Sequence, residues 1–211
     1  MAKYPLYLEL GGKQAVVIGA GTIGARKVRS LCDAGADVTV ITREVQGDFQ
    51  EYCKGLNFQL RIEGYSKQHL EGAVIAIAST NNTKLNQEIY DDCHALGVLC
   101  NVVDVPDLCD FYVPALVTRG SLQIAIGTDG QSPAYAGYIR RKLEEMFTAD
   151  HGRFVDELGS IRKTVIEKLQ PEDRKPVLSE LVKDESFYIF IQQGAEAWRQ
   201  MADEVISRYV R

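Results

Sequence analysis

The sequence lacks any apolar run near the roughly 20 residues that a helix needs to cross a bilayer, and its start contains no long apolar signal region. It also lacks a Cys-x-x-Cys pair, and its five cysteines are an odd number. This argues against both a zinc knuckle and a disulfide framework, so we expect reduced thiols and no metal site. We therefore expect a cytoplasmic protein.

Positive charge is scarce as well. The 24 lysines and arginines are outnumbered by 29 acidic residues, which gives a net charge of −5. Long-range attraction to nucleic acid or to an anionic membrane is therefore not expected, and we predict neither partner. Any anionic ligand must bind at a local cluster of basic residues.

What the sequence does contain is a regular alternation of short apolar runs with stretches of helical periodicity, as far as residue 103. This alternation predicts an α/β fold in which helices cover both faces of a parallel sheet. The predicted strands span residues 14–19, 37–42, 57–62, 73–78 and 98–103.

The pattern of predicted secondary structure changes after residue 103. Segments 111–117 and 121–126 predict a hairpin, and Ser132 with Pro133 predicts a helix start, with serine as the N-cap. From Asp150 onward the pattern is entirely helical, and two prolines interrupt it. A small α+β segment followed by a helical domain is expected there.

A Gly-Ala-Gly-Thr-Ile-Gly sequence at 19–24 lies between the first predicted strand and a helical stretch that begins at Ala25. This order brings backbone N–H groups and the positive end of a helix to one point, where a pyrophosphate can dock. The alternative is a tight turn without a ligand. We predict a dinucleotide cofactor whose contacts include Gly19, Gly21, Thr22, Ile23 and Gly24.

The end of the second strand selects the adenosine ribose in such folds. Here it carries Arg43 and Glu44 side by side. Glu44 could accept from the ribose hydroxyls, which favours NAD, whereas Arg43 could neutralise the 2′-phosphate of NADP. We favour NAD, and the alternative is that both are solvated turn residues.

Polar residues also follow the fourth strand, at the carboxyl edge where ligands of open α/β sheets bind. Thr80 and Asn81 could hydrogen-bond the cofactor there. Equally, Asn81, Asn82 or Thr83 could cap the helix that begins near Lys84.

Asp104 ends the fifth strand on the same edge, beside the expected nicotinamide end of the cofactor. An aspartate is costly to bury unless it has a task or a partner. It could act as the general base that takes the proton released when a hydride is removed. A structural turn aspartate before Pro106 is at least as good an interpretation of the spacing alone.

A second loop, 127–133, feeds the amino end of a helix that carries basic residues at 140–142. Free N–H groups and positive charge would suit a ligand that carries carboxylates. The alternative is a solvated helix face.

With these features in place, the chain resembles the siroheme synthase family, which contains NAD-dependent precorrin-2 dehydrogenases, some of which are also sirohydrochlorin ferrochelatases. The resemblance runs from residue 4 to 147 and is specific in order and spacing. The segments that carry it are 4–10, 17–21, 25–28, 34–40, 76–81, 100–104, 111–115 and 132–134.

The resemblance implies an NAD-binding Rossmann domain over 1–112, a dimerisation segment over 113–150 and a C-terminal helical domain over 151–211, in a homodimer. It implies oxidation of precorrin-2, a polycarboxylate tetrapyrrole, to sirohydrochlorin with NAD, and a ferrous or cobalt ion as a transient substrate where chelation follows. By the same resemblance, Asp104 is the base, and the tetrapyrrole contacts are Asn101, Arg119, Thr128 and Ser132.

Thr128 departs from the serine common in the family, so phosphorylation of the kind reported for some relatives is not expected. The sequence also ends before any methyltransferase module, and we expect another protein to perform that step. Two rivals stay open at this point. One is an NAD-binding regulatory module without catalysis, whose helical tail docks a partner, and the other is a dehydrogenase of a small metabolite.

Overall fold

The computed structural model describes residues 3–210, which form two compact units. The N-terminal unit is Lys3–Val113 and contains a five-stranded sheet. The C-terminal unit begins at Pro114 and contains a hairpin followed by helices.

All five strands of the N-terminal sheet are parallel, in the order β3-β2-β1-β4-β5. The strands are β1 Gln14–Ala20, β2 Asp37–Val45, β3 Gln59–Ile62, β4 Ala73–Ala78 and β5 Leu99–Val102. The helices between them are α1 Thr22–Asp33, the short α2 Phe49–Tyr52 and α3 Thr83–Leu96. The predicted α/β class is therefore confirmed, and strand β4 has the predicted bounds.

Helices cover both faces of this sheet. On one face Val17 and Val40 pack against Val28 of α1, and on the other Ile18 and Cys100 belong to the cluster that contains Ile89 of α3. Successive residues of β1 are buried on opposite faces, which is why its sequence is continuously apolar rather than alternating.

In the C-terminal unit, strands β6 Ala115–Arg119 and β7 Leu122–Ile126 form an antiparallel hairpin. Sequence patterning begins the first of these strands at residue 111, four residues too early. The reason is that Phe111 packs against the core of the N-terminal unit, so its apolar side chain does not belong to the hairpin.

Four helices follow the hairpin: α4 Pro133–Met146, α5 Ala149–Lys168, α6 Pro171–Glu180 and α7 Asp184–Ser207. The N-cap at Ser132 is confirmed, since its side chain accepts from the N–H of Tyr135. Pro176 was expected between helices but lies inside α6, which loses one internal hydrogen bond at that proline. Gly194 interrupts α7 with a φ of 88°, a conformation that suits glycine.

The core of the C-terminal unit contains a cluster of aromatic rings among aliphatic side chains. Trp198 is fully buried and has ring contacts with Phe154 and Phe190. Its indole N–H donates to Ser186 Oγ at 2.7 Å, and Ser186 in turn donates to the carbonyl of Leu181 at 2.8 Å. The polar atom of the buried indole is therefore satisfied within the bundle.

Within residues 3–210, no helix has both the length and the apolar character needed to span a membrane. All five cysteines are free thiols.

Candidate functional site

Strands β1 and β4 lie side by side in the sheet. The chain adds β2 and β3 outward from β1 on one side and β5 outward from β4 on the other, so the direction of strand addition reverses between β1 and β4. Open α/β sheets bind ligands outside the carboxyl ends of their strands at such a switch point. Gly19, Ser79 and Asp104 lie at the carboxyl ends of β1, β4 and β5. The structure thus brings these sequence positions to one edge of the N-terminal unit.

The glycine loop at this edge is built for close backbone approach. Gly19 has a φ of 108°, and a Cβ there would lie 2.5 Å from the carbonyl oxygen of Ser79. A Cβ on Gly24 would lie 2.3 Å from the carbonyl oxygen of Gly19. Both positions therefore require glycine for packing within the protein. Gly21 differs, because a Cβ there would meet nothing within 4 Å.

Gly21 is the N-cap of α1, and the first helical hydrogen bond runs from Ala25 N to Gly21 O at 2.9 Å. The N–H groups of Thr22, Ile23 and Gly24 precede that bond and have no acceptor inside the helix. No side chain caps the helix and no acid lies in its first turn. Open space beside Gly21 and uncapped N–H groups together fit the pyrophosphate of a dinucleotide.

At the end of β2, both cofactor-selecting candidates are exposed. Strand β2 continues to Val45, so Arg43 and Glu44 lie inside the strand rather than in a turn beyond it. The hydroxyl of Thr42 donates to the carbonyl of Glu44 at 2.6 Å, which fixes the backbone there. The guanidinium of Arg43 lies against Gly64, 3.6 Å from where a Cβ of that glycine would be.

In the segment after β4, some polar side chains are hydrogen-bonded within the fold and one is available to a ligand. Asn82 is the cap of α3, accepting from the N–H of Leu85 at 3.1 Å, which resolves the alternatives for that helix start. Thr80 donates to Asn86 Oδ1 at 2.6 Å. The side chain of Asn81 is exposed and makes no hydrogen bond within residues 3–210. The predicted cofactor contacts at Thr80 and Asn81 stay predictions.

Sequence reasoning missed the role of Ser79. Its hydroxyl lies 3.2 Å from the carbonyl oxygens of both Ile18 and Gly19, and its N–H donates to Ile18 O at 2.8 Å. It therefore ties the end of β4 to the glycine loop. A small hydroxyl residue directly after a buried strand was the available signal.

Asp104 follows β5 in a turn, with a φ of 62°. This left-handed backbone is uncommon for residues other than glycine and marks a local constraint. Asp104 is exposed, so the expected cost of burial does not apply. Its carboxylate makes no hydrogen bond or ion pair within residues 3–210, and it is available to a ligand.

The turn that holds Asp104 is fixed by residues that sequence reasoning did not connect with it. The Cys109 thiol lies 3.2 Å from Val102 O and 3.3 Å from Val105 O. The amide of Asn101 donates to Cys109 Sγ at 3.4 Å and to Phe111 O at 2.9 Å. Asn101 is buried, so its predicted substrate contact would compete with these bonds; the contact stays a prediction.

Lys27 of α1 is half-buried and is electrostatically coupled to this turn. Burial lowers the pKa of its ammonium. The Cys109 thiol, where it is ionised, and the Asp104 carboxylate oppose that shift. Burial also raises the pKa of the Cys109 thiol, which therefore keeps its proton near neutral pH. A cation thus lies near the exposed carboxylate.

The remaining predicted substrate contacts lie in the C-terminal unit. The guanidinium of Arg119 donates to the carbonyls of Thr118 at 2.9 Å, Glu144 at 3.1 Å and Phe147 at 2.7 Å. It therefore holds the end of α4. Thr128 Oγ1 accepts from the N–H of Ser132 at 3.3 Å. Their contacts with substrate stay predictions.

The part of the chain from 3 to 210 contains no group of three or more His, Cys, Asp or Glu side chains arranged to hold a metal ion.

Two family models match the chain in succession. One, described as "Putative NAD(P)-binding", matches residues 6–115. The second, described as "Sirohaem biosynthesis protein central", matches residues 119–146. The first covers more than half of the chain, which confirms the predicted dinucleotide cofactor of the nicotinamide type.

Curated relatives extend this match. A siroheme synthase of Pseudomonas fluorescens strain SBW25 is 32% identical over 200 residues, covering 95% of this chain and 41% of the relative. A siroheme synthase of Ectopseudomonas mendocina strain ymp is 36% identical over 168 residues, covering 80% of this chain and 36% of the relative. The chain spans less than half the length of these relatives.

Among solved structures, "SirC, precorrin-2 dehydrogenase" matches with a TM-score of 0.74 and 22% identity, covering 96% of this chain and 100% of that chain. This match shows a shared fold over both units. Since the two family models follow one another along residues 6–146 and the curated relatives are siroheme synthases, the chain belongs to the siroheme synthase family.

Proposed function

We propose that this chain catalyses the NAD-dependent dehydrogenation of precorrin-2 to sirohydrochlorin, a step of siroheme biosynthesis. Family membership supports the pathway, and the name of the structural neighbour, a precorrin-2 dehydrogenase, supports the reaction. The single observation that carries the proposal is Asp104: an exposed carboxylate in a left-handed turn, at the sheet edge that also bears the glycine loop.

The cofactor would be held by the amino end of α1. The N–H groups of Thr22, Ile23 and Gly24 would bind the pyrophosphate, with Gly19 and Gly21 giving it room. Glu44 would accept from the ribose hydroxyls, which favours NAD over NADP. Thr80 and Asn81 would lie beside the nucleotide at the end of β4.

The reaction removes a hydride and a proton from the tetrapyrrole. When bound, the nicotinamide supplies the acceptor for the hydride. The Asp104 carboxylate accepts the proton, and the Lys27 ammonium lies near it. Proton transfer to a positioned base contributes about 10²- to 10⁴-fold to rate in general.

We also propose a homodimer in the cytoplasm, and contacts between the carboxylates of the substrate and Asn101, Arg119, Thr128 and Ser132. The free thiols are consistent with a reducing compartment. Ferrous or cobalt ion would be a substrate of a following chelation, with Asp104 accepting the pyrrole protons.

The test is an anaerobic assay of the purified chain with precorrin-2 and NAD, followed by NADH absorbance. Asp104→Asn should lower kcat by about 100-fold or more, because the amide cannot accept the proton. The matched control is Asp107→Asn. Asp107 is an exposed acid three residues further along the chain, and this variant should have the kcat of the native chain. NAD binding should survive in both variants.

Unchanged turnover in Asp104→Asn would refute the assignment of the base. NAD binding without NADH formation by the native chain would support the regulatory rival instead. NADP in place of NAD checks the cofactor choice. Addition of ferrous iron, with siroheme absorbance as the readout, decides whether chelation follows.

A further inference from the structure

The turn after β5 raises the question of what keeps Asp104 in a left-handed conformation. A residue other than glycine occupies that region at some cost, and the surroundings must over-determine it. The backbone contributes two bonds here, from Val105 N to Val102 O at 3.2 Å and from Leu108 N to Val105 O at 3.0 Å. The first of these closes the turn around Asp104, and each of the two carbonyls can accept one further hydrogen bond from another group.

That group is the Cys109 thiol. Its single proton faces two acceptors, Val102 O at 3.2 Å and Val105 O at 3.3 Å, and these two carbonyls bracket Asp104 in sequence. The sulfur also accepts from the buried Asn101 amide at 3.4 Å. The thiol is therefore a central link of the turn.

We propose that Cys109 is a positioning residue for Asp104, whose thiol holds the turn closed so that the carboxylate faces the substrate. The inference rests on the proposed role of Asp104 as the base. Burial raises the pKa of this thiol, so the proton needed for the donated bond is present at neutral pH. Loss of the donor should let the turn relax and the carboxylate move.

The backbone at Cys109 is extended, with φ −132° and ψ 118°, and β-branched residues suit it. Threonine and valine have nearly the same shape, but only threonine can donate. Cys109→Val should lower kcat for precorrin-2 about tenfold with unchanged NAD affinity, because small displacements of a reacting group are costly. Cys109→Thr should keep at least half of kcat.

The matched control is Cys32→Ala. Cys32 is also half-buried and donates to a carbonyl, that of Asn57 at 3.5 Å, but it lies near the end of α1, at the opposite edge of the sheet. Its loss should leave kcat unchanged. Should Cys109→Val not fold, Cys109→Ala and Cys109→Ser provide the same contrast of a variant without and with a donor.

A double variant separates positioning from general stability. In the Asp104→Asn background, Cys109→Val should cause no further loss of the residual rate, measured at high enzyme concentration. Equal losses in the Val and Thr variants, or a further tenfold loss in the double variant, would overturn the inference. Normal turnover in Asp104→Asn alone would instead refute the proposed function, which keeps the two failures distinct.

Discussion

In the N-terminal unit, Asp104 and Asn81 have side chains without hydrogen bonds among residues 3–210, whereas in the C-terminal unit Arg119 and Ser132 each hold a helix end. All four were predicted from sequence to contact cofactor or substrate. At these four positions the two units differ in how much polar chemistry is already used within the fold, although Thr80 and Asn101 of the N-terminal unit are also hydrogen-bonded within it.

This difference follows from how each unit is built. A doubly covered parallel sheet satisfies its backbone through strand pairing, so some polar residues beyond the carboxyl ends of its strands, here Asn81 and Asp104, are left over. A hairpin packed with short-linked helices has many helix ends, and its polar side chains are needed to satisfy them. Unused polar groups at a sheet edge are therefore stronger site candidates than polar groups near helix ends.

The largest expected effect is at the glycine loop. Gly24→Ala places a Cβ 2.3 Å from the carbonyl oxygen of Gly19, and backbone must move to admit it. We expect a loss of about 3 kcal/mol in the free energy of unfolding, measured by chemical denaturation. Gly24 lies in the N-terminal unit, so this prediction tests that unit.

Gly21→Ala is the matched variant. Its φ of −100° suits alanine, and the added Cβ meets no protein atom within 4 Å. Stability should stay within about 0.5 kcal/mol of the native chain, while NAD affinity falls at least about tenfold, because the methyl group occupies the approach to the N–H groups. Unchanged NAD affinity, measured by calorimetry, would remove this loop as the cofactor site.

The next effect tests the C-terminal unit. Arg119→Ala removes three hydrogen bonds to carbonyls at 2.7–3.1 Å and should destabilise the protein by about 2–3 kcal/mol in thermal or chemical denaturation. Because Arg119 is also proposed to contact a substrate carboxylate, the KM for precorrin-2 should rise in the folded variant as well. Unchanged stability would show that these three bonds do not hold the end of α4, and an unchanged KM would remove Arg119 from the proposed substrate contacts.

Much of the N-terminal unit could be predicted because its sequence signals are local. Gly35 and Gly97 end helices in left-handed conformations, and the strand at 73–78 is bounded by a glycine and polar residues. The positions of Ser79 and Cys109 in the site could not be predicted, because their partners Ile18 and Val102 are brought to them only by strand order and a returning segment. The same holds for Arg119, whose acceptors lie 25 and 28 residues away.

The smallest expected effect is at Lys27. Its substitution should change the free energy of unfolding in the direction opposite to Arg119→Ala. Lys27 is a cation with a desolvation cost, so Lys27→Met should raise the free energy of unfolding, by about 0.5 kcal/mol because solvent reaches part of the side chain. Lys163→Met, an exposed lysine of α5, is the control and should change stability less.

The pH dependence gives the sign of this effect independently. At neutral pH the Lys27 ammonium is charged in both the folded and the unfolded chain, so its cost is fully present. Between the lowered folded pKa and the ordinary value of 10.5, the unfolded chain binds more protons, and the native protein gains stability relative to the variant as pH rises. Denaturation of both proteins from neutral to alkaline pH should therefore show a shrinking difference. A growing difference would mean that the attraction between Lys27 and Asp104 outweighs the burial of Lys27. The charges would then stabilise the site of the N-terminal unit, as Arg119 stabilises the other unit.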